Sequence, residues 1–98
     1  MKRPTYHEDL VKRLKDPKRA LGYLNACLNQ EDFDEGVLLL ALRDVAEAHG
    51  GLRNLAKRAG LNREHLFKIL SKNGNPRLDS LNQLTNALGF RLAFQKAA

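Results

Sequence analysis

The chain has little of what secreted, disulfide-stabilised or membrane proteins depend on. Its 98 residues include one cysteine and no tryptophan, and aromatic residues make up only 6% of them. A lone cysteine cannot close an internal disulfide, which argues against a disulfide-stabilised scaffold. The longest apolar run, residues 37–42, is far shorter than the roughly 20 residues of a transmembrane helix, and the first residues lack the apolar stretch of a signal peptide. We therefore expect a cytoplasmic protein that does not enter a membrane.

Groups that commonly carry catalysis are also sparse. The histidines at positions 7, 49 and 65 are far apart, and Cys27 lies on an apolar helical stripe without a histidine nearby in sequence. No metal-ligand spacing and no phosphate-binding glycine loop is present. The sequence thus predicts a protein that is not an enzyme, with no metal, no cofactor and no small-molecule substrate.

Positive charge is plentiful but unevenly distributed. The formal net charge is +6; residues 31–50 carry one basic side chain against six acids, whereas residues 51–98 carry nine against two. A basic C-terminal half attracts polyanions through its summed field. The acidic segment repels DNA and suits a basic protein instead.

Apolar residues recur at helical spacing between glycine and proline breaks, so we predict an all-α fold of five to six helices in a single domain. Asp16 followed by Pro17 is a strong helix start. The expected helices cover residues 7–15, 17–29, a segment from 32 or 33 to 49, 52–59, 63–72 and a segment from 79 or 80 to 88. We predict four parts within the domain: an N-terminal arm and helix (1–15, with 1–5 irregular), a helical segment (16–50), a helix pair with a following helix (51–89) and a tail (90–98).

Residues 55–70, LAKRAGLNREHLFKIL, have the pattern of a Cro/repressor-like helix-turn-helix. Ala56 is small where two helix backbones would approach, and Gly60 tolerates a positive φ at the turn. Leu66 and Ile69 are then expected in the core, which leaves the other face of the second helix to enter a DNA major groove. The candidate base-reading residues on that face are Asn62, Arg63, Glu64, Phe67, Lys68 and Ser71.

The chemistry of this face suits base edges. Arg63 can donate two hydrogen bonds to guanine, Glu64 can accept one from cytosine, and Lys68 can reach guanine or a phosphate. Three alternatives stay open: Asn62 only caps the helix, Phe67 packs half-buried instead of touching a thymine methyl, and Glu64 pairs with Lys68. The candidate phosphate-binding residues around the face are Arg53, Lys57, Lys72, Asn75 and Arg77.

The tail contains FRLAF, residues 90–94, in which apolar side chains alternate with the period of a β-strand. Because no other strand is predicted, we expect Phe90, Leu92 and Phe94 to pair with the same strand of a second copy in a homodimer. Packing on the same subunit and a frayed end are the alternatives.

Several short stretches carry a resemblance to a known family: Asp16-Pro17, YLNA at 23–26, ALRDVA at 41–46, Gly50-Gly51, Leu55-Ala56, GNP at 74–76 and ALG at 87–89. Over about residues 10–95 the chain resembles the HigA-like addiction-module antidote proteins, antitoxins of the Xre/Cro type. The resemblance implies a homodimeric repressor that binds an inverted-repeat operator in double-stranded DNA and neutralises a RelE/ParE-type toxin. The family's DNA-binding positions fall on Asn62, Arg63, Glu64, Phe67 and Lys68. The chain departs from the family pattern at Phe67, where tyrosine is expected, and at Gly22, where alanine is.

A basic toxin would give the acidic segment a partner. The candidate toxin-binding residues are Glu31, Asp32, Asp34 and Glu35, although acids at a helix start also simply complement the helix dipole. Two other functions stay open: a phage-type helix-turn-helix regulator without a toxin, and a protein-interaction module that reads no DNA. RNA binding is disfavoured, because Phe67 is the only aromatic residue near the basic surface.

Overall fold

The computed structural model describes residues 5–98, and these residues form six α-helices and no β-strand. The helices are α1 (Tyr6–Leu14), α2 (Pro17–Leu28), α3 (Glu35–Ala48), α4 (Gly51–Ala59), α5 (Arg63–Ile69) and α6 (Leu78–Ala87). The all-α prediction is confirmed. Within the described range, no helix combines the length and apolar character needed to cross a bilayer.

Short polar side chains set the helix starts. The predicted irregular start lies outside the described residues except for Thr5, which caps α1 by exchanging hydrogen bonds with Glu8. Asp16 accepts a hydrogen bond from the Lys18 N–H at 3.0 Å, as expected for the cap of α2. Asp34 accepts from the Gly36 N–H at 2.8 Å. Because this carboxylate satisfies one of the free N–H groups at the helix start, α3 begins at Glu35, slightly later than predicted.

The end of α5 comes earlier than the sequence suggested. The helix stops at Ile69 rather than at Lys72, and Leu70 already has non-helical backbone angles. A tight turn follows, in which the Gly74 N–H donates to the Ser71 carbonyl at 2.9 Å. Gly74 folds back so closely that a Cβ there would collide with the carbonyl oxygen of Ile69. The turn therefore brings Gly74 back against the last residue of α5.

Two central helices organise the core. α1 and α2 pack on α3, α5 and α6 pack on α4, and α3 and α4 pack on each other. Every helix contributes to one buried apolar cluster, for example through Leu14, Leu24, Val45, Leu55, Leu66 and Leu84. Cys27 belongs to this cluster, as expected, and burial raises the pKa of its thiol, which keeps the reactive thiolate scarce at neutral pH.

The predicted C-terminal strand is not present. Residues 90–98 form neither helix nor strand in the described chain, because a strand exists only through hydrogen bonds to a neighbouring strand and this chain supplies none. α6 closes instead through Gly89, with φ at 91°, and the Phe90 N–H donates to the Thr85 carbonyl at 2.8 Å. Phe90 packs against the core, whereas Leu92 is 40% exposed and Phe94 is fully exposed.

Candidate nucleic-acid interface

A three-residue turn positions α5 against α4. Gly60 adopts a φ of 69° at the end of α4, and the Leu61 N–H donates to the Ala56 carbonyl at 2.9 Å. Asn62 then begins α5, and its side-chain oxygen accepts hydrogen bonds from the N–H groups of Glu64 at 2.8 Å and His65 at 3.3 Å. The capping role of Asn62 is confirmed, and it occupies the oxygen that a contact with adenine would require.

α5 has one buried and one solvent-facing side. Leu66 and Ile69 are buried, as predicted, and Arg63, Glu64 and Lys68 are exposed. Among the ion pairs of the described residues, none joins Glu64 to Lys68. Three of the predicted base-reading side chains are therefore exposed on one short helix.

Ser71 is separated from the other base-reading candidates by the end of α5. It lies two residues beyond the helix, and its hydroxyl donates to the Lys68 carbonyl at 2.8 Å. The hydroxyl is thus used in the turn that follows the helix.

Phe67 lies beside two guanidinium groups. It is half-buried, which was one of the open alternatives for this residue. The Cζ atom of Arg63 lies 5.6 Å from the ring centroid, and the Cζ atom of Arg43, on α3, lies 5.4 Å from it. Both distances are within the roughly 6 Å at which a cation is attracted to an aromatic ring.

Arginines from three helices meet at one open cavity of about 600 Å³. Arg43 of α3, Arg53 of α4 and Arg63 of α5 line it together with Phe67. Within residues 5–98, none of the three guanidinium groups has a carboxylate oxygen within 4 Å. Sequence reasoning missed Arg43. The available signal was that Arg43 is the single basic residue of the acidic segment 31–50.

The two carboxylates at this cavity are engaged by other groups. Glu47 lies 2.8 Å from Nε2 of His7, and Asp44 accepts a hydrogen bond from the Tyr23 hydroxyl at 3.2 Å. Partial burial raises the pKa of Asp44, and Glu47 adds to this effect, whereas the Tyr23 hydroxyl, His7 and Arg43 oppose it. Burial, reinforced by the adjacent Asp44, raises the pKa of Tyr23 to about 12.

His7, Asp44 and Glu47 place potential metal-ligand atoms within 4.8 Å of one another. Sequence reasoning did not find this cluster, because α1 brings His7 to α3 across 40 residues of chain. The hydrogen bond between His7 and Glu47 accounts for their proximity without an ion.

The predicted phosphate-binding residues are spread over a wider surface. Arg53 lies at the cavity beside Arg63, and Lys57 is exposed one turn further along α4. Lys72 and Asn75 are exposed in the segment after α5. Arg77 precedes α6, where its Nε atom lies 3.5 Å from a carboxylate oxygen of Asp79. The structure therefore brings only Arg53 of this set directly to the cavity beside α5.

The predicted toxin-binding residues form an exposed acidic stretch. They are all exposed before and at the start of α3: Glu31, Asp32, Asp34 and Glu35. The helix-start interpretation holds for Asp34, which caps α3. Two apolar side chains of the same stretch, Phe33 and Val37, are 48% and 44% exposed. The segment thus presents acids together with accessible apolar surface.

The fold and its surfaces define a small all-helical protein. A basic surface lies at the cavity lined by Arg43, Arg53 and Arg63, and an acidic, partly apolar stretch precedes and begins α3. The family model described as "probable addiction module antidote protein" matches residues 5–96, and the chain belongs to this family. The chain is also 30% identical over 89 residues to an uncharacterised protein of Haemophilus influenzae, an alignment that covers 91% of this chain and 89% of the relative. No solved structure matches it. The antidote family implied by the sequence is confirmed, whereas the narrower HigA-like and Xre/Cro assignment stays a prediction.

Proposed function

We propose that this protein is the antitoxin of a type II toxin–antitoxin module and that it represses its own operon in the cytoplasm. Membership of the antidote family supports the antitoxin role. The exposed face of α5, with Arg63, Glu64 and Lys68, is the observation that carries the DNA-reading role. In this proposal α4 and α5 are the two helices of a helix-turn-helix, and α5 enters the major groove.

Two side chains of the α5 face and one side chain of α4 have distinct proposed tasks. Arg63 reads guanine through paired hydrogen bonds, and Glu64, which has no lysine or arginine within 4 Å among the described residues, accepts from cytosine. Lys57 on α4 contacts a phosphate and carries no sequence information. Arg63→Ala should therefore cost about 1–3 kcal/mol of binding free energy on the operator and relax the preference at one base pair. Lys57→Ala should weaken all duplexes alike and lower the salt slope by about one.

Selection from a random duplex pool tests the DNA-reading role. The enriched duplex and a scrambled control are then compared by fluorescence anisotropy across a salt series. We expect an inverted repeat with half-sites about one helical turn apart and a steep salt dependence. Arg13→Ala, at an exposed position on α1, is the matched control for charge loss. Equal, weak binding of both duplexes without an enriched motif would favour an interaction module that reads no DNA.

An inverted repeat requires two copies of the chain, and we propose that they meet at the C-terminal apolar surface. Leu78 is 75% exposed and Phe94 fully exposed, and both line a cavity of about 820 Å³ with Leu81 and Leu92. The acidic segment and the basic face would each repel their own copy, whereas this surface is predominantly apolar. Isologous pairing would bury both copies of Phe94 at once.

Analytical ultracentrifugation tests the dimer. Phe94→Ser should shift the wild-type dimer toward monomer, while Tyr6→Ser, at a position that is 78% exposed on α1, should not. A wild-type protein that is monomeric at micromolar concentration would contradict the dimer proposal.

The acidic segment is the proposed docking site for a basic RelE/ParE-type toxin. Its carboxylates provide long-range attraction, and Phe33 and Val37 provide apolar contact area. The test replaces Glu31 and Glu35 by Gln and Asp32 and Asp34 by Asn; Asn at position 34 retains a capping side chain. Binding of the toxin encoded in the same operon should weaken, more so at low salt. The control is Asp9→Asn on α1, and unchanged toxin binding at both low and moderate salt would refute this docking site.

A further inference from the structure

We infer that Arg43 of α3 is part of the DNA-contact surface, and that Phe67 is a positioning residue whose ring holds both Arg43 and Arg63 toward the duplex. The assignment rests on the proposed function, because Arg63 is taken there as a base reader. It adds to the interface a residue from a helix outside the α4–α5 pair.

The geometry begins with one ring and two guanidinium groups. Arg63 and Arg43 come from different helices, yet their Cζ atoms lie 5.6 and 5.4 Å from the centroid of the same Phe67 ring. The two Cζ atoms are separated by no more than the sum of these distances, which is less than the roughly 12 Å width of the major groove. When Arg63 meets a base edge, Arg43 therefore lies within reach of the groove wall and its phosphates.

Three guanidinium groups and two carboxylates line this cavity, so positive side chains are in excess. Arg53 lines the same cavity, so three guanidinium groups converge without a carboxylate oxygen within 4 Å among the described residues. Asp44 and Glu47 line the same cavity and offset part of this positive charge, and Arg43 acts electrostatically on Asp44; Asp44 also accepts from the Tyr23 hydroxyl, and Glu47 pairs with His7. Guanidinium groups bind phosphate oxygens through paired hydrogen bonds. A backbone phosphate would relieve their mutual repulsion.

The half-buried ring explains how the arginines are held. A long arginine side chain loses rotamer freedom when it binds, and stacking on a fixed ring restricts it beforehand. Phe67 is half-buried and follows the core residue Leu66 on α5, so its ring is more restricted than a fully exposed side chain would be. Phe67 thus acts on sequence selectivity through Arg63, and a contact of its own with a thymine methyl is not required.

Binding experiments on the 98-residue chain separate these roles. The probes are the duplex enriched in the selection described above and its scrambled control, measured by anisotropy over a salt series, with thermal denaturation to verify folding. Arg43→Gln should weaken both duplexes about 3- to 10-fold near 0.1 M salt and lower the salt slope by about one, whereas Arg13→Gln should change neither. Phe67→Leu should reduce the preference for the enriched duplex roughly tenfold, and Phe67→Tyr, which keeps the ring, should preserve it.

A double-mutant cycle tests whether Phe67 acts through Arg63. If it does, Phe67→Leu combined with Arg63→Ala should lose no more selectivity than Arg63→Ala alone. Additive losses would show that Phe67 contacts DNA itself and would overturn the positioning role. A wild-type protein that selects DNA while Arg43→Gln behaves like Arg13→Gln would overturn only the assignment of Arg43. Wild-type protein that prefers no duplex would overturn the proposed DNA reading and this inference with it.

Discussion

The pair formed by Tyr23 and Asp44 leads to a pH-dependent prediction for stability. The Tyr23 hydroxyl donates to a carboxylate oxygen of Asp44 at 3.2 Å and links α2 to α3. Tyr23→Phe removes the donor and leaves Asp44 half-buried with less hydrogen bonding. A hydrogen bond to a charged group contributes about 1.5–3 kcal/mol, and partial solvent exposure places this one near the lower end. We expect the free energy of unfolding at neutral pH to fall by about 1–2 kcal/mol.

The pH dependence follows from the pKa of Tyr23, which the fold raises from 10.0 to about 12. The native state holds this proton more tightly than the unfolded chain, so the stabilisation is complete below the unfolded pKa and is lost as the pH rises through 10 toward 12. This difference in pKa corresponds to a contribution of at most about 3 kcal/mol to the free energy of unfolding, and solvent screening reduces it further. The stability difference between wild type and Tyr23→Phe should therefore be largest below about pH 10 and shrink above it.

Tyrosinate absorbance measures this pKa directly. The chain has two tyrosines and no tryptophan, so Tyr6→Phe leaves Tyr23 as the only absorbing phenol. Titration of that variant should give a midpoint near 12, and urea denaturation at about pH 8 and about pH 11 should give the two stability differences. A midpoint at the ordinary value of 10.0, or a stability difference that does not change with pH, would refute the reasoning.

Three further substitutions test the close packing of the backbone and the partial burial of one carboxylate. Gly74→Ala should destabilise the fold by about 2–4 kcal/mol in urea denaturation, since its Cβ would collide with the Ile69 carbonyl and meet a methyl group of Leu39; a loss below about 0.5 kcal/mol would contradict the close approach. Gly22→Ala is the matched control, because nothing lies within 4 Å of the new Cβ in α2, and it should stabilise by up to about 1 kcal/mol. Asp44→Asn should raise the free energy of unfolding at neutral pH, because burial raises the pKa of this carboxyl and its charged form is disfavoured in the fold. In the wild type, the stability contributed by the protonated Asp44 carboxyl is present at acid pH and is lost as the pH rises through the folded pKa. The gain from Asp44→Asn should therefore vanish on acidification. A variant that is less stable than the wild type at neutral pH would contradict this.

Local features of the fold were predictable from the sequence. Asp16 and Asn62 cap helices through hydrogen bonds that span two or three residues, so the local sequence suffices to locate them. The apolar spacing that predicted Leu66 and Ile69 in the core likewise depends only on helical periodicity. The end of α5 was predicted too late, at Lys72, because apolar periodicity does not show the non-helical backbone of Leu70 or the turn in which Gly74 approaches the Ile69 carbonyl.

The residues of the candidate interface also divide into those that local sequence groups together and those that only the folded chain brings together. Arg63, Glu64 and Lys68 were found because they share one short helix, and helical spacing alone groups them. Arg43 reaches Phe67 from α3, and His7 reaches Glu47 from α1, and neither contact leaves a periodic signal in the sequence. The tail illustrates the reverse case: the alternation at Phe90, Leu92 and Phe94 is real, but a strand also needs a partner, which alternation does not provide.

The order in which the helices pack bears on how the chain acquires its structure. Each extensively packed pair consists of helices that are neighbours in sequence or have a single helix between them, and α3 and α4 join the two groups. Such contacts close only short loops, so the entropy lost before they form is small, and folding is expected within microseconds to milliseconds. Once Ala48 has left the ribosome, α3 already has both of its N-terminal packing partners. The half of the molecule formed by α1 to α3 can therefore condense while α4 to α6 are still being synthesised.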